Sequence, residues 1–598
     1  MTAASMSTGM KASIHFCMRF LRMLTNALIA GALGAAYLTI LVLQLNPQVP
    51  LFSHSVWRWY ATLGAFYGVH LALLFYVVML VRELISLDPF SPGWIGVRLL
   101  AWLSAAAAAT AALLMWLNLR GLPAVFTEIG ARRMAIGTTA TTMAAVVLLA
   151  IAVAHYSFGR RGSRVGAALL AIAITGSLAL PVAARGRGGP AAVPFHRPVP
   201  TSASADETGP RVRLLLLDGA SLDYVWPRAA EGRLPNFSRL LDRGASLDLA
   251  TIRPTQPDPV WAAAATGMYP GKNGVRSGGS YFARGDDRPL DLLPDYCFSH
   301  ALVRLGIIRD QPNGSETWRA RPVWAILGDY GISTGVVRWP LTYPVEPLPG
   351  FMLSDRFHLL LGSMRELDGR AAYPPELEPA ARAAFEAPDA AQTDAAAPTP
   401  SRSDAVEAER SAAALDRAYR RAFDALRAHR PVRVSIIRYQ ALDTIEHYDL
   451  AIDQPASFTS TEADRLQTST TVDRYYAYLD GEIGHAIDAL APGDLLLVVS
   501  GFGMRSVDPV TRIVQRLLRQ APFKGRHDRA PDGFLLAYGT PVSAGRHQRG
   551  SIVDVTPTIL YFLGVPIGRD MDGYARADLF TSDFTAERPI TFIPSHGR

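Results

Sequence analysis

Five apolar stretches crowd the first 184 residues of this chain, at about 23–44, 59–81, 99–118, 134–155 and 165–184. Each comes close to the ~20 residues a helix needs to span a bilayer, and none contains an acid, lysine or arginine. Backbone polar groups cannot stay unpaired in hydrocarbon, so these stretches are restricted to helices packed as a transmembrane bundle. The first resembles a secretory leader in its apolarity, but four more follow without a small-residue cleavage site. The lipid bilayer is therefore the first expected partner.

Arginine and lysine flank the spans unevenly. With the N-terminus inside, Lys11, Arg19, Arg22, Arg82, Arg98, Arg160, Arg161 and Arg164 fall on the cytoplasmic side, against Arg58, Arg120, Arg132 and Arg133 outside. That bias follows the positive-inside rule. Five passes then place everything beyond residue 185 outside the cytoplasm. His70 is the one histidine in the interior of the spans, His155 standing at the very end of the fourth. Transport routes and proton relays generally need buried charge, so the region reads as an anchor, and its Ala and Gly content suits close helix packing.

Residues 185–210, rich in Gly, Pro and Ser, have the composition of a solvated linker. From 211 to 598 short apolar runs alternate with helical patterns, which predicts an α/β fold with a mostly parallel sheet flanked by helices. The expected strands are "RVRLLLLD", "TGVVRW", "VRVSIIRY", "DLLLVVS" and "GFLLAYG". A low-complexity stretch near 370–408 is expected to be a surface insertion. The net charge of +7 comes from scattered arginines, Lys11, Lys272 and Lys524 being the only lysines. No basic face or stripe is apparent, and nucleic acid is not an expected partner. Two cysteines, Cys17 and Cys297, suggest no disulfide framework.

Polar residues stand where the expected strands stop: Asp218 after the first, Asp443 and His447 after the third, and "SGFG" after the fourth. Strand ends converging on one crevice are the usual layout of an α/β active site. Simpler readings exist for each. Asp218-Gly219 is a common turn dipeptide, "DTIE" from Asp443 to Glu446 is a capping-box pattern, and a lone loop histidine such as His527 is ordinarily solvated.

Several blocks in one order carry a resemblance. "LLLLDGASLDYVWPRAAEGRLPNFSRLLDRGA", "AAATGMYPGKNGV", "RWPLTYPVEPLPGFMLSD", "DTIEH" and "DVTPTILYFLGVPIGRDMDG" together resemble the type I phosphodiesterase/nucleotide pyrophosphatase family of the alkaline phosphatase superfamily. The resemblance covers nearly all of 211–580. It implies an alkaline-phosphatase-like fold and two divalent metals, commonly zinc, beside a threonine or serine that is transiently phosphorylated. One metal would activate the nucleophile while the pair stabilises charge on the phosphoryl oxygens. It assigns Asp218, Asp443, His447 and, before "PDG", His527 as metal ligands.

The pattern is also broken. Counting back nine residues from Thr266 places the nucleophile at Pro257, which has no hydroxyl and no N–H. Thr255 lies two residues out of register, and Asp258 would need quite different geometry. Where relatives read Ser-Asp-His-Gly, this chain reads Ser500-Gly501-Phe502-Gly503. Two ligands of one metal are thus missing, and only Asp218 remains of that position. Asp443, His447 and His527 keep the other, a three-ligand set suited to one divalent ion such as zinc. Two expectations follow. One is a degenerate member acting as a binding or regulatory module for a phosphoester, lipid headgroup, glycan or protein. The other is a one-metal hydrolase or phosphotransferase. Phe502 is expected to fill the vacated space with apolar volume.

Overall fold

The computed structural model describes residues 3–597 except 86–96, 123, 159–163, 186–208, 295–298, 362–368, 389–402, 451–461, 508–512, 514–522 and 528–529. The expected linker and the centre of the 370–408 insertion thus fall largely outside the described residues. The insertion's flanks fold as helices Glu378–Glu386 and Ser403–His429.

The chain divides into two units: Met1–Val193 with Gly279–Pro312, and Pro194–Gly278 with Asn313–Arg598. In the first, helices α1 (Ala3–Leu45), α2 (His54–Ile85, with a π-helical turn at Gly64–Gly68), α3 (Val97–Gly121), α4 (Glu128–Phe158) and α5 (Arg164–Ala184) follow one another. Among the described residues, four helical segments are long and apolar enough to cross a membrane, Phe20–Leu45, His54–Val81, Leu100–Gly121 and Glu128–Ala154, and α5 adds a shorter apolar stretch, Ala168–Ala184. Gly31 and Gly68 let α1 and α2 cross closely, since a Cβ at Gly31 would lie 2.3 Å from the Gly68 carbonyl oxygen. Just past α5, Arg185 donates to the carbonyl of Pro47 at 2.7 Å and to that of Val49, both in the loop after α1. The ends of the first and last helices therefore lie together.

Residues Gly279–Pro312 belong to this unit rather than to the sheet, so the expected continuous 211–598 domain is interrupted. They form an antiparallel pair, Gly279–Ala283 with Ile308–Pro312. Tyr281, Leu290, Leu293, Leu302 and Ile308 share a buried cluster with Val42, Val49, Trp59 and Leu63. Asn46 fixes the contact: its Nδ2 donates to the Leu292 carbonyl at 2.7 Å and its Oδ1 accepts from the Asp291 and Leu292 amides at 3.0 and 3.1 Å. One side chain satisfies three backbone groups that burial would otherwise leave unpaired.

The second unit is built on β1 (Val212–Gly219), β2 (Ala245–Ala250), β3 (Thr334–Val337), β4 (Gly350–Leu353), β5 (Val434–Tyr439), β6 (Leu495–Gly503) and β7 (Asp532–Tyr538). Their order across the ten-stranded sheet is β2-β7-β6-β1-β5-β3-β4, completed by short edge strands. The centre is parallel, β6-β1-β5-β3-β4, while β7 runs antiparallel to both β6 and β2, so the sheet is mixed. The central strands are buried on both faces, which explains their near-continuous apolar runs. Period-two alternation sends Leu215, Leu217, Ile437, Tyr439, Leu496 and Val498 into one core with helices Leu222–Ala230, Ser403–His429 and Glu462–Asp488. The intervening residues, ending in Asp218 and Arg438, face the other way, toward helix Pro257–Thr266.

Candidate metal centre

Helix Ala441–Asp449 follows β5 directly, and its N-cap is Gln440 rather than Asp443. The capping-box reading therefore gives way to another geometry. Asp443 lies one turn below His447 on the same face, with His447 Nε2 3.7 Å from its Oδ2. His527, ahead of β7, brings its Nε2 to 4.0 Å from Asp443 Oδ1. Ligand-type atoms of all three lie within 4.8 Å of one another.

Both imidazoles are oriented by the backbone. His447 Nδ1 bonds the Gly525 carbonyl and His527 Nδ1 bonds the Thr255 carbonyl, each at 2.9 Å. A proton held on Nδ1 by a carbonyl leaves Nε2 as a lone-pair donor, the arrangement that supports a metal-ligating histidine. Asp443 is buried, and its Oδ1 has no hydrogen-bond partner among the described residues. A buried orphan carboxylate oxygen is costly unless a cation completes it. Burial pushes the Asp443 carboxyl above the usual range, against the pull of the two imidazoles. Metal bonds of ~2.0–2.2 Å at tetrahedral angles put ligand atoms ~3.3 Å apart, so the three groups would draw together around an ion. The residues fit one divalent cation.

Beside them is Glu446, buried, its Oε2 also without a partner among the described residues. Burial first, and then Asp443, raise its carboxyl well above the ordinary range. On the other side, Asp258 is pushed up to about 7 by burial and by Asp355, with Arg438 and Arg356 opposing.

Asp218 does not join this group. Arg438 grips it with Nε at 3.0 and 3.1 Å from its two oxygens and with a close Nη2 contact to Oδ2. Trp261 Nε1 adds a third donor at 2.8 Å to Oδ1. Both charged side chains are essentially inaccessible, 0% for Asp218 and 5% for Arg438. The pairing follows from register: Leu216 on β1 sits opposite Arg438 on β5, so the long guanidinium arm reaches the strand end two residues on.

The strand end at which two further ligands were expected is packed. β6 does not stop at Ser500 but runs through Gly503, and Gly501 is in its buried interior. A Cβ on Gly501 would lie 2.5 Å from Val260 Cγ1 and 3.5 Å from Trp261 Cζ2. Phe502 is fully buried, its ring 5.3 Å from that of His527, as apolar filling requires. Pro257 is the first residue of helix Pro257–Thr266, which carries Val260 and Trp261 into this space. Trp261 in turn packs edge-on against Trp339 at 6.0 Å. Thr255 is buried, its hydroxyl without a partner among the described residues.

The sequence reading thus located Asp443, His447 and His527 but missed Arg438, Trp261 and Glu446. A signal for Arg438 was present: it is the second arginine of "VRVSIIRY" and follows the apolar Ile436-Ile437 inside the strand, which implies a buried counter-charge.

A mixed sheet with helices on both faces and a metal-type cluster past its strand ends is an alkaline-phosphatase-like arrangement. Residues 212–555 match the model of the "Type I phosphodiesterase / nucleotide pyrophosphatase" family, and the chain belongs to it. Solved structures similar to it include human ectonucleotide pyrophosphatase/phosphodiesterase 5, at 14% identity over 62% of this chain and 100% of that one, with a TM-score of 0.35. An inactive murine form of that protein, solved in complex with AMP, gives 13% identity, the same coverage and a TM-score of 0.36. No match is found among curated protein sequences. The family domain lies outside the membrane-spanning helices, consistent with an extracytoplasmic globular domain.

Proposed function

We propose that this protein is a membrane-anchored, degenerate member of its family. It holds one divalent cation, zinc by the donor set, at Asp443, His447 and His527. With that cation it binds a phosphoester-bearing ligand (a nucleotide, lipid headgroup or glycan) without covalent phosphoryl transfer. The observation that carries this reading is Pro257: the residue heading the helix at the nucleophile position has neither a hydroxyl nor an N–H to offer.

The preformed triad favours a second reading, a one-metal hydrolase. Two fixed imidazoles and a carboxylate leave coordination positions open, as catalytic rather than structural sites do. When bound, a divalent ion there would supply Lewis acidity toward a phosphoryl oxygen and acidify a water, which needs no side-chain nucleophile. The chain's own residues would orient the ligand and exclude water.

The full chain in nanodiscs, with bound metal quantified, separates the two. It would be assayed against bis-p-nitrophenyl phosphate and p-nitrophenyl phosphate. One equivalent of metal and no turnover are expected. Turnover that disappears in His447→Ala would overturn the binding-module reading.

A further inference from the structure

We infer that Arg438 is a permanent replacement for a second metal ion, so that the Asp218 position is closed to metal and this chain takes one cation only. The inference rests on the reading of the triad as a cation site, but it concerns different residues.

Three observations converge. First, the acceptor capacity of Asp218 is used up by Arg438 Nε and Nη2 and by Trp261 Nε1, donors already within hydrogen-bond distance. Planar guanidinium-to-carboxylate pairing of this kind is among the strongest charge-assisted contacts. A metal would have to displace it in a site that water does not reach.

Second, the charges balance. A carboxylate from β1 and another from position 501 would together neutralise a divalent ion. This chain has lost one negative charge at Gly501, and the remaining Asp218 is neutralised by a single positive charge. The Asp218–Arg438 pair is thus neutral in itself, which offsets part of the cost of burying either charge.

Third, the space is filled from the opposite side. Val260 occupies the volume a side chain at 501 would need, and Phe502 turns an apolar ring where a ligand would stand. Three separate segments, 257–261, 438 and 501–502, therefore act in concert. An open, merely ligand-poor site would need none of them.

The experiment uses the full chain, stripped of metal in detergent and titrated with Co²⁺ and Zn²⁺ by calorimetry and by elemental analysis after desalting. Wild type is expected to bind one equivalent, lost in His447→Ala/His527→Ala and retained in Asp218→Asn. A second equivalent, or one that survives in the histidine variant and vanishes in Asp218→Asn, would overturn the inference. A metal-independent arm follows thermal unfolding of Asp218→Asn, Arg438→Met and the double variant. Each single change should lower the transition, because it strands a buried charge, and the double should recover most of the loss. Additive losses would also overturn the pairing. If no variant binds metal while the double variant recovers, the one-cation function fails and the closed Asp218 position stands.

Discussion

Adding one methyl group tests whether the lost metal position is packed. In Gly501→Ala the new Cβ falls 2.5 Å from Val260 Cγ1, about 1 Å inside the ~3.5–4.0 Å that carbon atoms keep. Neither neighbour yields easily, since Val260 is 0% exposed and β6 is buried from Leu495 to Gly503. Overpacking of this kind costs ~1–3 kcal/mol. Alanine recovers ~0.5–1 kcal/mol of that, because glycine loses more backbone freedom on folding. A net loss of ~0.5–2 kcal/mol is expected. Val260→Ala alone removes two methyl groups, about 1.6 kcal/mol of transfer free energy before any cavity cost. In that background Gly501→Ala should be neutral or slightly stabilising, a coupling of ~1–2 kcal/mol between the sites. The assay is denaturant unfolding of the globular unit in mild detergent, followed by tryptophan fluorescence. A neutral Gly501→Ala in wild type, or equal penalties in both backgrounds, would show that the space at β6 is open and refute the packing account.

Other outcomes are equally specific. His447→Ala and His527→Ala should each abolish the rise in unfolding temperature that metal gives wild type; at a hundredfold excess over Kd that stabilisation is ~2.7 kcal/mol. Trp261→Phe keeps the ring packing but removes the indole donor to Asp218, and should cost ~1.5–3 kcal/mol for a hydrogen bond to a charged group. Asp258 has its folded-state pKa raised to about 7, so its contribution to stability is complete below the ordinary carboxylate range and is lost as pH rises toward 7. Asp258→Asn should therefore flatten the pH dependence of stability between about 4 and 7, and an unchanged slope would place the titration elsewhere. Asn46→Ala leaves the Leu292 carbonyl and the Asp291 and Leu292 amides without their partner. Limited proteolysis should then cut within 279–312 faster than in wild type.

How much of this was legible depends on the distance over which each feature is encoded. The triad was readable because Asp443 and His447 are four residues apart on one helix and His527 is tied to a turn. The central strands were readable as apolar runs, though β2, "ASLDLA", was missed because its apolar content is weak and interrupted by Ser and Asp. The end of β6 was misplaced because Ser-Gly-Phe-Gly resembles punctuation, while pairing with β7, Asp532 opposite Phe502, carries the strand on. Arg438 meeting Asp218 depends on cross-strand register over 220 residues of separation. No local pattern specifies that. The transfer of 279–312 to the helical unit was equally hidden, because Tyr281, Leu290 and Ile308 would suit a sheet core as well as the loop ends of α1 and α2.

That excursion of the chain bears on how the globular unit can leave a membrane. An ectodomain on a single stalk is released by one proteolytic cut. Here a cut anywhere in 185–210 severs one strand of polypeptide, yet the released portion still carries Gly279–Pro312, whose apolar side is buried against Val42, Trp59 and Leu63. Shedding would require three cleavages or the extraction of that insert, so the protein is built to remain where it is inserted.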